Sequence, residues 1–143
     1  MSQSRTSLDA GLLVIRVGIG CMFLKHGWPK ISGGPEMWEG VGRAVETVGL
    51  QAGFVYWGLL AALSEFGGSL CLITGVLFRP AALRMTATMA MATWMHLSGG
   101  DSFNVWSHAA EAGLVFLGLF VAGPGRYRLG RDFAPFRSAP THV

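Results

Sequence analysis

Charge is what this chain has least of. Of its 143 residues, 13% are charged, against about 25% in soluble domains. Apolar types make up 51%. A surface so poor in charge is not one that water keeps dispersed, and the balance points to a membrane protein. The formal charge of +3 does not change this. Arg79, Arg126, Arg128, Arg131 and Arg137 gather at segment ends and in the tail. No solvated basic face is left to hold a duplex, so nucleic acid is excluded as a partner. Cysteine is equally scarce. Cys21 and Cys71 both lie inside apolar stretches with no C-x-x-C spacing, which excludes a disulfide framework or a dithiol redox motif. The small-residue cleavage pattern of a secretory signal is missing as well. The apolar stretch after Arg5 runs instead into Lys25-His26-Gly27-Trp28-Pro29 and reads as a retained anchor. No Ser/His/Asp set, phosphate loop, zinc spacing, or flavin or nicotinamide motif stands out.

What is present is long apolar runs. About 20 such residues span a bilayer as helix. Four segments qualify, at 8–27, 52–78, 81–97 and 105–122, followed by a polar, basic tail at 123–143. The expected fold is all-α: a single domain over 1–143, forming an integral-membrane four-helix bundle. Arg5, the Phe78-Arg79-Pro80 turn, Arg84 and the tail arginines fall on one side of an even-numbered bundle. Lys30, Glu36, Glu39, Arg43, Glu46 and Asp101 fall on the other. The positive-inside rule then places both termini in the cytoplasm of a bacterial-type inner membrane. In the first outer loop, Gly34-Pro35-Glu36 reads as a helix start. Met37, Val41, Ala44, Val45 and Val48 recur at helical spacing opposite Glu39, Arg43 and Glu46. This predicts a short amphipathic helix on the outer surface, either an interfacial anchor or a lid. Small-residue stripes (Gly58, Ala61, Ser64, Gly68, Cys71, Gly75; and Gly11, Gly18, Cys21) provide for close helix packing or for homo-oligomer contacts.

Against that background the ionisable residues within the spans stand out. Glu65 lies near the centre of 52–78, where a carboxylate costs about 2.5 kcal/mol or more unless it is partnered inside the bundle. By helical rise, His26, His96 and His108 lie at the outer ends of their spans, and Glu111 lies one turn deeper than His108 on the same face. Arg16 sits in the inner half but can snorkel upward towards Glu65 as a counter-ion. The outer half is thus expected to collect a polar pocket, one group or more from each helix. Met85, Met89 and His96 share a face, where thioethers and imidazole suit Cu(I) but methionines also serve as core filling.

Three segments resemble the DoxX-like family of small four-helix integral membrane proteins. They are Leu12-Leu13-Val14-Ile15-Arg16-Val17-Gly18 continuing to Phe23-Leu24-Lys25-His26-Gly27-Trp28-Pro29-Lys30; Glu65-Phe66-Gly67-Gly68 with Thr74-Gly75 and Arg79-Pro80-Ala81-Ala82; and Gly123-Pro124-Gly125-Arg126-Tyr127-Arg128-Leu129. Arg128 and Gly130 depart from the family's more usual Ser and Asp after the tyrosine, a difference confined to the tail. The family is named for a subunit associated with thiosulfate:quinone oxidoreductase, so the resemblance implies the fold and quinone-linked redox chemistry. On that reading Glu65, His108 and Glu111 handle protons, Arg16, His26 and His96 complete a quinone site, and electrons come from a partner redox subunit. A second reading makes His26, His96, His108 and Glu111 ligands of haem, copper, iron or zinc. A third is a non-enzymatic assembly or scaffold protein whose polar groups lock the bundle.

Overall fold

The computed structural model describes residues 2–129, so the rest of the basic tail, with Gly130, Arg131 and Arg137, lies outside the described residues. Among the described residues all regular structure is helical. Helix α1 spans Ser2–Ser32, α2 Gly34–Gly42, a 3₁₀ segment Arg43–Val48, α3 Phe54–Thr74, α4 Phe78–Ser98 and α5 Phe103–Ala122. Three of these, α1, α3 and α5, are long and apolar enough to cross a membrane. Helix α4 is as long as α3 but carries Arg79, Arg84, three threonines and His96, and is not apolar enough by composition alone.

Element boundaries follow local chemistry. Helix α1 outruns the 8–27 stretch at both ends, and its last turns carry Pro29 and Lys30. Pro35 and Glu36 start α2, as proline suits a first turn and a carboxylate suits the positive end of the dipole. The helix expected over 34–48 changes to 3₁₀ at Arg43, and Gly49, at φ 85°, ends it. Arg43 pairs with Glu39 at 2.6 Å and with Glu46 at 3.0 Å on the exposed side. Gly75, at φ 78°, closes α3 by donating its N–H to the Cys71 carbonyl. The tight turn is therefore Gly75-Val76-Leu77, and Phe78-Arg79-Pro80 forms the first turn of α4 rather than the turn itself.

Packing runs in ring order α1, α3, α4, α5, each neighbour antiparallel to the last. The ring closes through side chains: the rings of Phe23 (α1) and Phe116 (α5) meet edge to face, 4.8 Å between centroids. The core is Leu72, Phe78, Ala82, Met85, Met89, Phe116 and Leu119, with Leu12, Ile19 and Phe23 packed against it. Met85 and Met89 thus fill the core. On α1 the glycines at close approaches are Gly20 and Gly27, whereas nothing lies within 4 Å of a Cβ placed on Gly11 or Gly18, and Cys21 is exposed. Helix α2 lies along the start of α3. The two backbones touch through Gly42 and Gly58, where any Cβ would run into the carbonyls of Phe54 and Trp38 respectively. Hydroxyls inside the helices are satisfied locally: Thr86, Thr88 and Thr93 donate to the carbonyls four residues back, at 2.7–3.0 Å.

Candidate functional site

Glu65 is buried on α3, its side chain 3% exposed. Its charge is met by Lys30, whose Nζ lies 2.5 Å from Oε1. Helix register explains the pairing. Gly27 lies directly on the α3 backbone at this level, since a Cβ there would come within 2.7 Å of the Phe66 nitrogen. Lys30 is one turn further along α1 and so reaches Glu65. Trp38 of α2 donates its indole N–H to the Lys30 carbonyl at 2.8 Å, tying the short helix to the same spot. Just below, Ser69 Oγ donates to the Glu65 carbonyl, and Thr88 of α4 bonds Ser64 at 3.0 Å. Helices α1 and α3 and the short α2 therefore meet at this carboxylate, and α4 joins α3 at the neighbouring Ser64.

Arg16 is not the counter-ion of Glu65. It is 2% exposed and lies 11 residues before Gly27 on α1, about 16 Å along the axis from the Glu65 level. Its Nη1 donates to the carbonyls of Leu72 at 3.0 Å and Ile73 at 3.3 Å, and its Nη2 donates to the carbonyl of Tyr127. Arg16 thus binds the end of α3 to the chain's closing segment, while Leu129 donates its N–H to the Thr74 carbonyl at 2.8 Å. Snorkelling was expected to lift this side chain. Three carbonyls freed by the end of α3 and the turn beyond α5 hold it in place instead.

The remaining groups divide. His96 bonds Asp101 through Nδ1 at 2.7 Å, an arrangement local to the α4–α5 connection. His26 lies against Phe23, 5.8 Å between ring centroids, at the edge where α1 faces α5. His108 and Glu111 are exposed on α5. His108 is one turn from Ala112 and two from Phe116, the residues by which α5 meets the core. The structure therefore does not gather His26, His96, His108 and Glu111 into one ligand set, and no three His, Cys, Asp or Glu side chains among the described residues converge as a metal site would need. Lys30 and Trp38 were missed. The available signal was the continuation of α1 past Pro29, which brings Lys30 onto the row of Gly27 and into reach of Glu65.

Chemically, a carboxylate and an amine at 2.5 Å make a charge-assisted hydrogen bond, and each raises the cost of losing the other. The sequence profile of the DoxX family matches residues 11–97, which include Arg16, His26, Lys30, Glu65 and His96. A protein of Escherichia coli (strain K12), inner membrane protein YqjF, is 32% identical over 126 residues, covering 86% of this chain and 92% of that protein. No solved structure matches.

Proposed function

The chain belongs to the DoxX family, and on that premise we propose that it is a multi-pass protein of the bacterial inner membrane and the membrane subunit of a quinone-linked oxidoreductase. In this reading α1, α3, α4 and α5 form a four-helix transmembrane bundle. Helix α4 crosses despite its composition because it is hairpin-linked to α3 and α5, and its threonine hydroxyls are already bonded to its own backbone. Both termini are cytoplasmic, and α2 lies as a lid on the outer face.

The observation that carries the functional reading is the pairing of the buried Glu65 carboxylate with the partly exposed Lys30. An ion pair within a transmembrane bundle is a functional residue set by default, because lipid penalises it and hydrophobic residues of similar volume would pack as well. A quinone reaches such a site from the lipid. The side-chain-closed seam between α1 and α5 offers an entry, with His26 on one wall and His108 and Glu111 on the other. Reduction of a quinone to the quinol takes two electrons and two protons. A partner redox subunit supplies the electrons. His108 and Glu111 bond the quinone oxygens and deliver protons there, and Glu65 with Lys30 passes protons inward from the lid.

Solvent extraction of the protein purified in mild detergent tests this. The expected result is quinone in near-stoichiometric amount, lost in His108→Ala and Glu111→Gln and kept in His96→Ala. Quinone no more abundant than in the surrounding lipid, or equal amounts in all variants that retain helix content, overturns the reading and favours a scaffold role.

A further inference from the structure

The opposite end of the bundle holds a second polar feature that the quinone reading does not use. The closing segment folds back beneath the helices and lines a cavity of about 370 Å³ with Gly125, Arg126, Tyr127 and Arg128. That volume lies within the roughly 300–1,000 Å³ typical of small-molecule sites. Arg126 and Arg128 form no ion pair among the described residues. Arg16 stands directly behind them. A Cβ on Gly75 would lie 2.7 Å from both Arg16 Nη1 and Arg128 Cβ, so the buried guanidinium and the Arg128 backbone press on the same glycine. Among the described residues Arg16 meets carbonyls and no carboxylate, and its buried Nε has no hydrogen-bond partner. A carboxylate among the described residues at this end, Asp9, accepts the backbone N–H of Arg126 at 3.0 Å. Two arginines outside any ion pair among the described residues thus line the cavity with the buried Arg16 behind them, and the carbonyls that Arg16 meets do not neutralise its charge.

We propose that this cavity is a binding site for a phosphate group, held by Arg126 and Arg128 and favoured by the buried charge of Arg16. Arginine suits the role because its planar fork donates two parallel hydrogen bonds to phosphate oxygens. Two sources share that chemistry: the headgroup phosphate of an anionic phospholipid and a free phosphate. The exposed Tyr127 and Leu129 alongside the cavity suit a lipid surface.

The test uses the full chain in neutral detergent, with thermal unfolding followed during titration by inorganic phosphate or short-chain phosphatidylglycerol. Sodium chloride at matched ionic strength is the reference. A saturable rise in Tm is expected beyond the chloride effect, because a ligand that binds only the folded state stabilises it. Saturation with both ligands marks a phosphate site open to solutes, and saturation with phosphatidylglycerol alone marks a headgroup site. The midpoint should weaken at least tenfold in Arg126→Gln and Arg128→Gln and stay unchanged in Arg84→Gln, an exposed arginine of α4 away from the cavity. Arg126 is exposed, so its variant keeps the test valid even where Arg128→Gln fails to fold. No saturable shift, a shift that Arg126→Gln retains, or an equal loss in Arg84→Gln overturns the proposal.

Discussion

Lys30 and Glu65 are the residues whose removal should be least alike singly and together. Glu65 is almost fully buried and Lys30 about one-third exposed, and each is the other's ion-pair partner. Replacing Lys30 by Met strands a carboxylate among apolar neighbours, and stranding a buried charge costs about 3–5 kcal/mol. Partial exposure of Lys30 places this case near the lower figure, about 3 kcal/mol. The pair Lys30→Met/Glu65→Leu removes both charges and should recover most of that loss, so a double-mutant cycle in Tm should show strong non-additivity. Additive effects would mean the 2.5 Å contact contributes nothing. Arg16 makes a different prediction. Replacing it by Leu leaves the carbonyls of Leu72, Ile73 and Tyr127 without their donor, at about 1 kcal/mol for each neutral-acceptor bond. Arg16→Leu should therefore lower stability by about 2–3 kcal/mol, and Arg16→Lys should restore only part, since one amine cannot cover three carbonyls fanned across two segments. Thermal unfolding of both variants beside Arg84→Leu separates this from a generic loss of positive charge.

At the scale of elements, the contact between α2 and α3 depends on two absent side chains. Gly42 and Gly58 let the backbones touch, and a larger residue at Gly58 must push α2 away from the Trp38 side. Gly58→Val is expected to abolish hydrogen-exchange protection in peptides covering 34–48 while leaving α4 and α5 protected. Gly40→Ala, a position open to solvent with nothing within 4 Å, should leave the whole pattern intact. If 34–48 exchanges no faster in Gly58→Val, α2 is not held by this contact. The same interface shows what the sequence could and could not reveal. Helical periodicity, turn glycines and the single carboxylate in 52–78 were enough to place the helices and to mark Glu65. Its partner was not legible, because a counter-ion depends on the relative register of α1 and α3. That register is set by Gly27 seating on the Glu65–Phe66 backbone, and nothing in the periodicity of one helix reports where another stops against it. Depth counted from span ends put Arg16 in the inner half, where it lies; the expected upward reach to Glu65 failed because the carbonyls of Leu72, Ile73 and Tyr127 hold the side chain at that level. Sorting His26, His96, His108 and Glu111 by depth did not give their direction: His96 bonds Asp101, His26 lies against Phe23, and His108 and Glu111 are exposed.

At the scale of the whole molecule, the question is how many times the chain crosses the bilayer, and α4 decides it. Taken by composition, only α1, α3 and α5 cross, and an odd number of crossings would put the two termini on opposite sides. Taken by packing, α4 lies antiparallel between α3 and α5 along its length, and Phe78, Ala81, Ala82, Met85 and Met89 are buried against them. A helix so seated goes wherever its neighbours go. Its charges sit near its ends, Arg79 and Arg84 at one and His96 at the other, where side chains can reach the interface. The packing argument should therefore win, with four crossings and both termini in the cytoplasm, on the side the arginines mark. Single cysteines at Val76 and Ser102, in the turns before and after α4, test this once Cys21 and Cys71 are replaced. A membrane-impermeant maleimide added to intact cells should label Ser102→Cys and reach Val76→Cys only after lysis. Labelling of both from outside would show that α4 does not cross. The reverse pattern would show that the bundle is inverted and that α2, Lys30 and Glu65 face the cytoplasm.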